Sequence, residues 1–320
     1  GEPAVDKPIS AAGPRVWETW KEGYEVYLPE GQKPAPWNKP QHFPAVCQDQ
    51  GKMLMRTAKV NDVVDQTLQA LPADGTLLAD LKDQNGQLLR YEIRLNKPLF
   101  EYIRQQGLYN GKKQAKADEI DFPVGSQLVK AAWREVDEDD EPYFLTTDAC
   151  VCEDDEHGRP VDCVSRKMGL AGFHLMTKTE SAPQWIWSTY EQVDNINSIH
   201  PTVASLNDPN CTAERCPPNM QTREHIPTQL SRVIPIPNQK PVCELHDQAV
   251  DDIVTLNQDV QSNDQLLDSF LRYYDLVGTQ WPLKDAQQPD KTVFEVRPEL
   301  LANTTMESFA QNTSSCMGCH

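Results

Sequence analysis

No stretch of the 320-residue chain approaches the ~18 consecutive apolar residues of a membrane-spanning helix, so no integral membrane segment is expected. The chain also lacks a serine-nucleophile elbow, a P-loop and a glycine-rich dinucleotide fingerprint, which leaves those enzyme classes without their characteristic residues. Internal repeats are absent, which excludes solenoid and propeller arrays. Basic residues are in short supply: 30 Lys and Arg face 48 Asp and Glu, for a formal net charge of -18. Such a field repels nucleic acid and anionic lipid. It suits solubility, and it also suits a basic redox partner protein. No export leader is visible, and the polar opening Gly1-Glu2-Pro3 reads as a mature N-terminus after cleavage.

Cysteine and proline, by contrast, are plentiful, with 9 and 25 residues. Nine cysteines, several of them closely spaced, point to an oxidising compartment, periplasmic or otherwise exported. The spacing of Cys211 and Cys216 predicts a local disulfide. Cys163 has Cys150 or Cys152 as partner, and Cys47 has Cys243. A zinc site from Cys150, Cys152, Cys163 and His157 is the sharper alternative for the middle group. The acidic runs Asp137–Glu141 and Glu153–Glu156 lack EF-hand spacing and read as solvated loops.

The pattern along the chain predicts an α+β fold. Residues 1–50, rich in Pro and Trp, form an extended arm, with a short helix at Val16–Glu22. Residues 51–243 form a β-rich body, sandwich-like or of irregular sheets. Within it, Arg90–Leu95 alternates polar and apolar, preceded by an Asn85-Gly86 turn. Pro98 opens a short helix that Gly107 or Gly111 ends. Further strands are expected at Gln127–Val136, Tyr143–Thr147, Met168–Lys178 and Gln184–Tyr190, with a Pro-limited edge strand at Arg232–Pro237. Residues 244–320 form a helical C-terminal part: apolar residues recur at helical spacing from His246 to Trp281, and Asp264 caps the second of two helices.

The residues with chemistry in them are the last five, Cys316-Met317-Gly318-Cys319-His320. This C-x-x-C-H is the attachment signature of c-type haem. Two thiols add to the two vinyl groups, and the adjacent imidazole ligates the iron. A redox dithiol, half of a zinc site and an ordinary disulfide are the competing readings. The second iron ligand is open among six histidines and the methionines Met176, Met220 and Met306. His174, in the apolar run Gly172–Met176, is the candidate carried forward, although a lone strand His is more often a packed core residue. Trp185 and Trp187 share a face if Gln184–Tyr190 is a strand. They are the candidate aromatic wall for the cofactor, with Glu191, Asp194 and Asn195 following as acid–base candidates or plain turn residues.

Several stretches occur together: Arg90–Asn96 with Leu108–Asn110, Asp121–Ser126 with Lys130–Trp133, Gly169–His174, Gln184–Asn195, Asn210–Asn219, and Leu301–Glu307 ahead of the CxxCH. Together the set resembles a bacterial family of exported cytochrome c proteins with a single C-terminal CxxCH, over about residue 45 to the end. The resemblance implies export, one covalent haem c, and a natural chain that continues past His320. It supplies no substrate. The function expected is that of a periplasmic monohaem c-type cytochrome-like protein in electron transfer. A redox enzyme with the haem as reactive centre and a non-catalytic ligand-binding module are the alternatives.

Overall fold

A computed structural model describes residues 13–39, 43–48, 51–55, 81–154, 160–182, 184–197, 199–220, 228–236, 253–282 and 296–319. Its centre is a curled, half-barrel β-sheet. The nine strands are β1 (Lys21–Glu22), β2 (Met53–Leu54), β3 (Arg90–Leu95), β4 (Gln127–Glu135), β5 (Thr146–Asp154), β6 (Pro160–Thr177), β7 (Ile186–Gln192), β8 (Tyr274–Pro282) and β9 (Val296–Arg297). The main path runs β1-β3-β4-β6-β7-β8-β9, and β5 adds to β6 with β2 alongside it in parallel.

The 18-residue strand β6 is the spine. Its residues 168–177 pair antiparallel with β4, while β5 and β7 pair with 160–169 and 172–177. Because Met168 and Gly169 pair with both β4 and β5, these two strands occupy opposite edges of β6. The sheet therefore forks, and the β5–β6 ribbon projects beyond β7.

Local signals place several elements as expected. Asp83 and Gly86 close the turn before β3, with Gly86 at φ +77°. The helix Lys97–Gln106 begins where Asn96 accepts from the Leu99 N–H, and it ends at Gly107 in the left-handed region. Its Leu99, Phe100 and Ile103 pack with Leu95 and Val26.

Elsewhere the expectations need correction. Around Val16–Glu22 a 3-10 turn, Val16–Thr19, replaces the expected helix, and Lys21–Glu22 is strand. The strand expected at Tyr143–Thr147 starts at Thr146 and runs on through Cys150 and Cys152, while Glu141–Tyr143 is a 3-10 turn. Residues 231–236 form no strand. Pro235 has no donor to offer a ladder, and the nearby N–H groups of Ser231 and Val233 instead donate to the side chains of Asn219 and Gln311. Of the two long helices expected between His246 and Trp281, the described residues hold a single one, Ile253–Gln261. Two 3-10 turns follow, Asp264–Leu266 and Phe270–Tyr273, the first capped by Asn263 rather than Asp264. The remainder of the expected second helix is strand β8, paired with β7. Tyr274, Val277, Thr279 and Trp281 favour a pleated strand and Gly278 disfavours helix, so an available sheet edge outweighs a helix-like apolar spacing.

The two sheet faces bury different partners. On one face Val129, Ala131, Trp133, Met168 and Leu170 pack against Trp17, with Trp20, Phe173 and Leu175 around them. A buried charge network fastens the N-terminal arm there. Lys52 Nζ lies 2.8 Å from Glu18 Oε2 and 2.7 Å from Glu92 Oε1. It also sits 4.0 Å from the Trp133 ring centroid. Glu92 Oε1 accepts from Trp133 Nε1 at 2.8 Å, and Oε2 accepts from Arg94 Nε at 2.6 Å. Arg94 then donates to the carbonyls of Glu18 and Trp20. Burial pushes the Glu92 carboxyl upward, but Arg94 and Lys52 outweigh it and hold the pKa at about 2.

Candidate functional site

The opposite face carries the residues that the sequence singled out. Alternation along β6 puts Gly172, His174 and Met176 on it. Their partners across β7 are Glu191, Thr189 and Trp187, and across β4 they are Ala132, Lys130 and Leu128. The C-terminal segment from Leu301 to Met317 lies over this surface. Asn303 Nδ2 donates to Thr189 Oγ1 (2.8 Å) and to the Tyr190 carbonyl (2.9 Å). Thr304 donates through both its N–H and its hydroxyl to the Glu191 carboxylate, which also accepts from Arg232. Tyr91 Oη donates to the Thr305 carbonyl at 2.8 Å. Backbone approach is so close that a Cβ at Gly172 would overlap Thr305 Oγ1.

This docking leads directly to the CxxC turn. Ser314 and Leu301 bond to each other through N–H to carbonyl (3.0 Å) and hydroxyl to carbonyl (2.8 Å). The fully buried Gln280 of β8 donates to the Pro298 carbonyl and accepts from the Met317 N–H, each through a short bond of 2.7 or 2.8 Å. The helical turn Cys316–Cys319 starts from these anchors. Cys316 is 8% exposed and belongs to a cluster with Met176, Trp187, Val277 and Leu301. Trp185, Leu128, Ile236 and Met317 pack against that cluster. Sheet pairing and the C-terminal segment thus bring Trp185, Trp187 and Cys316 to one end of the sheet.

Trp185 precedes the strand rather than lying in it, at φ +82°. A bulky residue there is strained, and strain of this kind marks sites where surroundings over-determine the backbone. Its ring meets Phe122 edge-on at 5.8 Å. His174 is buried one pleat beyond Met176, with Nε2 3.5 Å from Glu307 Oε2. It shares the face with the Cys316 cluster but is not a member of it. His320 and the Cys319 side chain lie outside the described residues.

Asp194 and Asn195 stand in the turn that follows β7, as the turn reading has it, and both are buried, as is Glu191 within β7. Asp194 Oδ2 lies 2.6 Å from His200 Nδ1, and Oδ1 accepts from the His200 N–H at 2.8 Å. The imidazole stacks on Tyr143 at 3.9 Å and meets Tyr273 edge-on. A carboxylate on Nδ1 orients an imidazole and selects its tautomer. This pair lies beyond the far end of β7, roughly 17 Å of strand from Trp187, so it is separate from the Cys316 cluster.

Six cysteines form three disulfides: Cys47–Cys150, Cys152–Cys163 and Cys211–Cys216. The local pair and one of the two alternatives for Cys163 are as expected. The expected Cys47–Cys243 bridge is not: Cys47 is joined to Cys150, because its 3-10 turn packs on β5. Residues 243 and 157 lie outside the described residues. Among the described residues no helix is long and apolar enough to cross a membrane.

Two positioning residues escaped sequence reasoning. Gln280 sat in what reads as a helix, and nothing local marks it. Asn303 lies in a stretch whose Asn-Thr-Thr run signals only a turn. Comparison with protein-family models, with characterised proteins and with solved structures finds no match to this chain.

Proposed function

We propose that this chain is an exported, periplasmic c-type cytochrome-like protein that carries one covalent haem and transfers electrons. The observation that supports it is the gathering of Cys316 with Trp187, Trp185, Met176 and Met317 at one end of the sheet. The donor set fits the cofactor. A thiol at the first position of CxxCH stands among indoles and thioethers, the apolar and soft surroundings that a porphyrin requires. Cys316 and Cys319 are the tethers, His320 is the iron ligand, and Trp185 and Trp187 are the wall. When bound, haem supplies one-electron chemistry.

The chain's own role is to hold this end still. Gln280, Ser314 and Leu301 fix the start of the CxxC turn, and Asn303, Thr304 and Glu191 fix the segment leading to it. His174 remains the candidate for the second iron ligand, and Met176, which lies inside the Cys316 cluster, is the alternative. The net charge of -18 would steer a basic partner, with an association rate that falls as salt rises. Three disulfides agree with an oxidising compartment.

Production in a host with haem-attachment machinery tests the reading. The expected result is a coloured protein with sharp bands on reduction, haem mass on the C-terminal peptide, and loss of both in Cys316→Ser/Cys319→Ser. Colourless protein from a host that matures a control cytochrome would overturn it.

A further inference from the structure

Four cysteines meet at the projecting end of the sheet, on residues the proposed haem reading does not use. Cys150 and Cys152 lie two apart on β5 and so share a face. The β5–β6 register shifts between Val151 and Glu153, where the strand bulges opposite the Cys163 region of β6. Cys47, closing the turn Ala45–Cys47, packs onto the same spot. All four Sγ atoms lie within 4.8 Å of one another. Across the two disulfides, Cys47 Sγ is 3.9 Å from Cys152 Sγ. In a tetrahedral zinc tetrathiolate with Zn–S of about 2.3 Å, neighbouring sulfurs stand about 3.8 Å apart. One edge of that tetrahedron is therefore already present between side chains that are not bonded to each other.

The surroundings suit a soft dication. Cys47, Cys150 and Cys152 are fully buried among Met53, Met55, Tyr24 and Phe43, and Cys163 is partly exposed. Among the described residues this is the only group of three or more His, Cys, Asp or Glu side chains close enough to share an ion. The buried Arg90 guanidinium donates to the carbonyls of Cys152 (3.2 Å) and Met55 (3.3 Å) and pairs with Glu153 Oε1 at 2.5 Å, which fixes the backbone on either side of the cysteine cluster. The Cys150 N–H is held by the Lys52 carbonyl at 2.9 Å.

We propose that Cys47, Cys150, Cys152 and Cys163 form a tetrathiolate site for a zinc-class divalent cation when reduced, and that the two disulfides are the oxidised, metal-free state of the same site. The reductant is a dithiol. Two dithiols reduce the two disulfides by thiol–disulfide exchange, give four cysteine thiols, and leave as two disulfides. Binding of the dication then releases the four thiol protons. Cys163, the least buried of the four, is where exchange begins. In both states Cys47 stays joined to the β5–β6 ribbon, by a disulfide or through the metal, so the arm keeps its anchor while the redox state changes.

The test uses the full chain carrying Cys316→Ser/Cys319→Ser, so that the terminal pair cannot bind metal and the haem question is kept apart. The protein is reduced anaerobically with a phosphine, desalted, and titrated with Co²⁺ and then Zn²⁺. One Co²⁺ per chain is expected, with thiolate charge-transfer absorption and the intense visible bands of a tetrahedral site. X-ray absorption of the zinc form should give four sulfurs at about 2.3 Å. Adding Cys47→Ser should lower the sulfur count to three, whereas adding Cys211→Ser should leave it at four. Should Cys47→Ser fail to fold, alkylation of the zinc-loaded parent decides. Protection of Cys47, Cys150, Cys152 and Cys163 supports the site, and protection of any other set overturns it. No tetrahedral cobalt spectrum, or a sulfur count that falls with Cys211→Ser, also overturns it.

Discussion

Replacing Glu92 by glutamine isolates the charge network that fastens the N-terminal arm to the sheet. The carboxylate accepts three bonds: Lys52 and Trp133 on Oε1, and Arg94 on Oε2. Glutamine keeps the shape but has one acceptor oxygen and turns an NH₂ group toward a donor. Either Arg94, or Lys52 together with Trp133, then faces N–H against N–H in a site closed to water. Lys52 retains Glu18 at 2.8 Å, but Arg94 keeps only the two backbone carbonyls described above. Breaking a buried ion pair from one side costs about 3–5 kcal/mol. The acid behaviour gives an independent figure. The Glu92 pKa falls from 4.5 to about 2 on folding, a difference worth about 3 kcal/mol. Because the folded pKa is the lower one, this stability is fully present above about pH 4.5 and is lost as pH falls toward about 2. Urea unfolding followed by tryptophan fluorescence should therefore show Glu92→Gln less stable by about 3–5 kcal/mol at neutral pH. Between pH 4.5 and about 3 the two proteins should converge, since only the wild type loses this contribution. A neutral-pH difference under about 1 kcal/mol, the range of an exposed pair, or parallel acid curves would refute the reasoning.

The long-range and local disulfides should differ in worth. On the chain-entropy account, Cys47→Ser/Cys150→Ser, which opens a loop with a sequence separation of 103, should cost about 4–5 kcal/mol, against about 2 for Cys211→Ser/Cys216→Ser; equilibrium unfolding measures both. Gly172→Ala should push Thr305 off the sheet and destabilise the chain by about 1–3 kcal/mol, with earlier proteolytic cutting in residues 301–317 as the readout. Gln280→Ala strips partners from the Met317 N–H and the Pro298 carbonyl. It should cost about 1–3 kcal/mol and speed hydrogen exchange at Met317, while distant amides such as those of β3 keep their rates.

How far the sequence reaches is clearest where two segments of similar appearance had different fates. The alternation of Arg90–Leu95 reads directly as β3, and its helix neighbour announces both ends through Asn96, Pro98 and Gly107. Tyr274–Pro282 carries an equally regular apolar pattern, yet it is strand because β7 offers an edge there. Arg232–Pro237 looks like an edge strand, but the N–H groups of Val233 and of Ser231 just before the segment are met by side chains of Gln311 and Asn219, drawn from 78 and 12 residues away. The candidate site divides the same way. Cys316, Trp185 and Trp187 stand out by residue type and spacing. Gln280 and Asn303, which hold them in place, have no local mark, and the Asp194–His200 pair depends on a loop that folds back over six residues.

What the sequence determined by itself is what neighbours along the chain decide. This covers the turns and caps, the alternation of β3, the disulfide across four intervening residues between Cys211 and Cys216, and the chemistry offered by Cys-x-x-Cys-His. Tertiary structure alone decided which strand pairs with which, that Cys47 meets Cys150, that four sulfurs share one corner, and that the C-terminal segment rests on Gly172. Those outcomes depend on contacts between residues up to 214 positions apart. Their free energy comes from burial and hydrogen bonding at the point of meeting, which no local stretch of sequence contains.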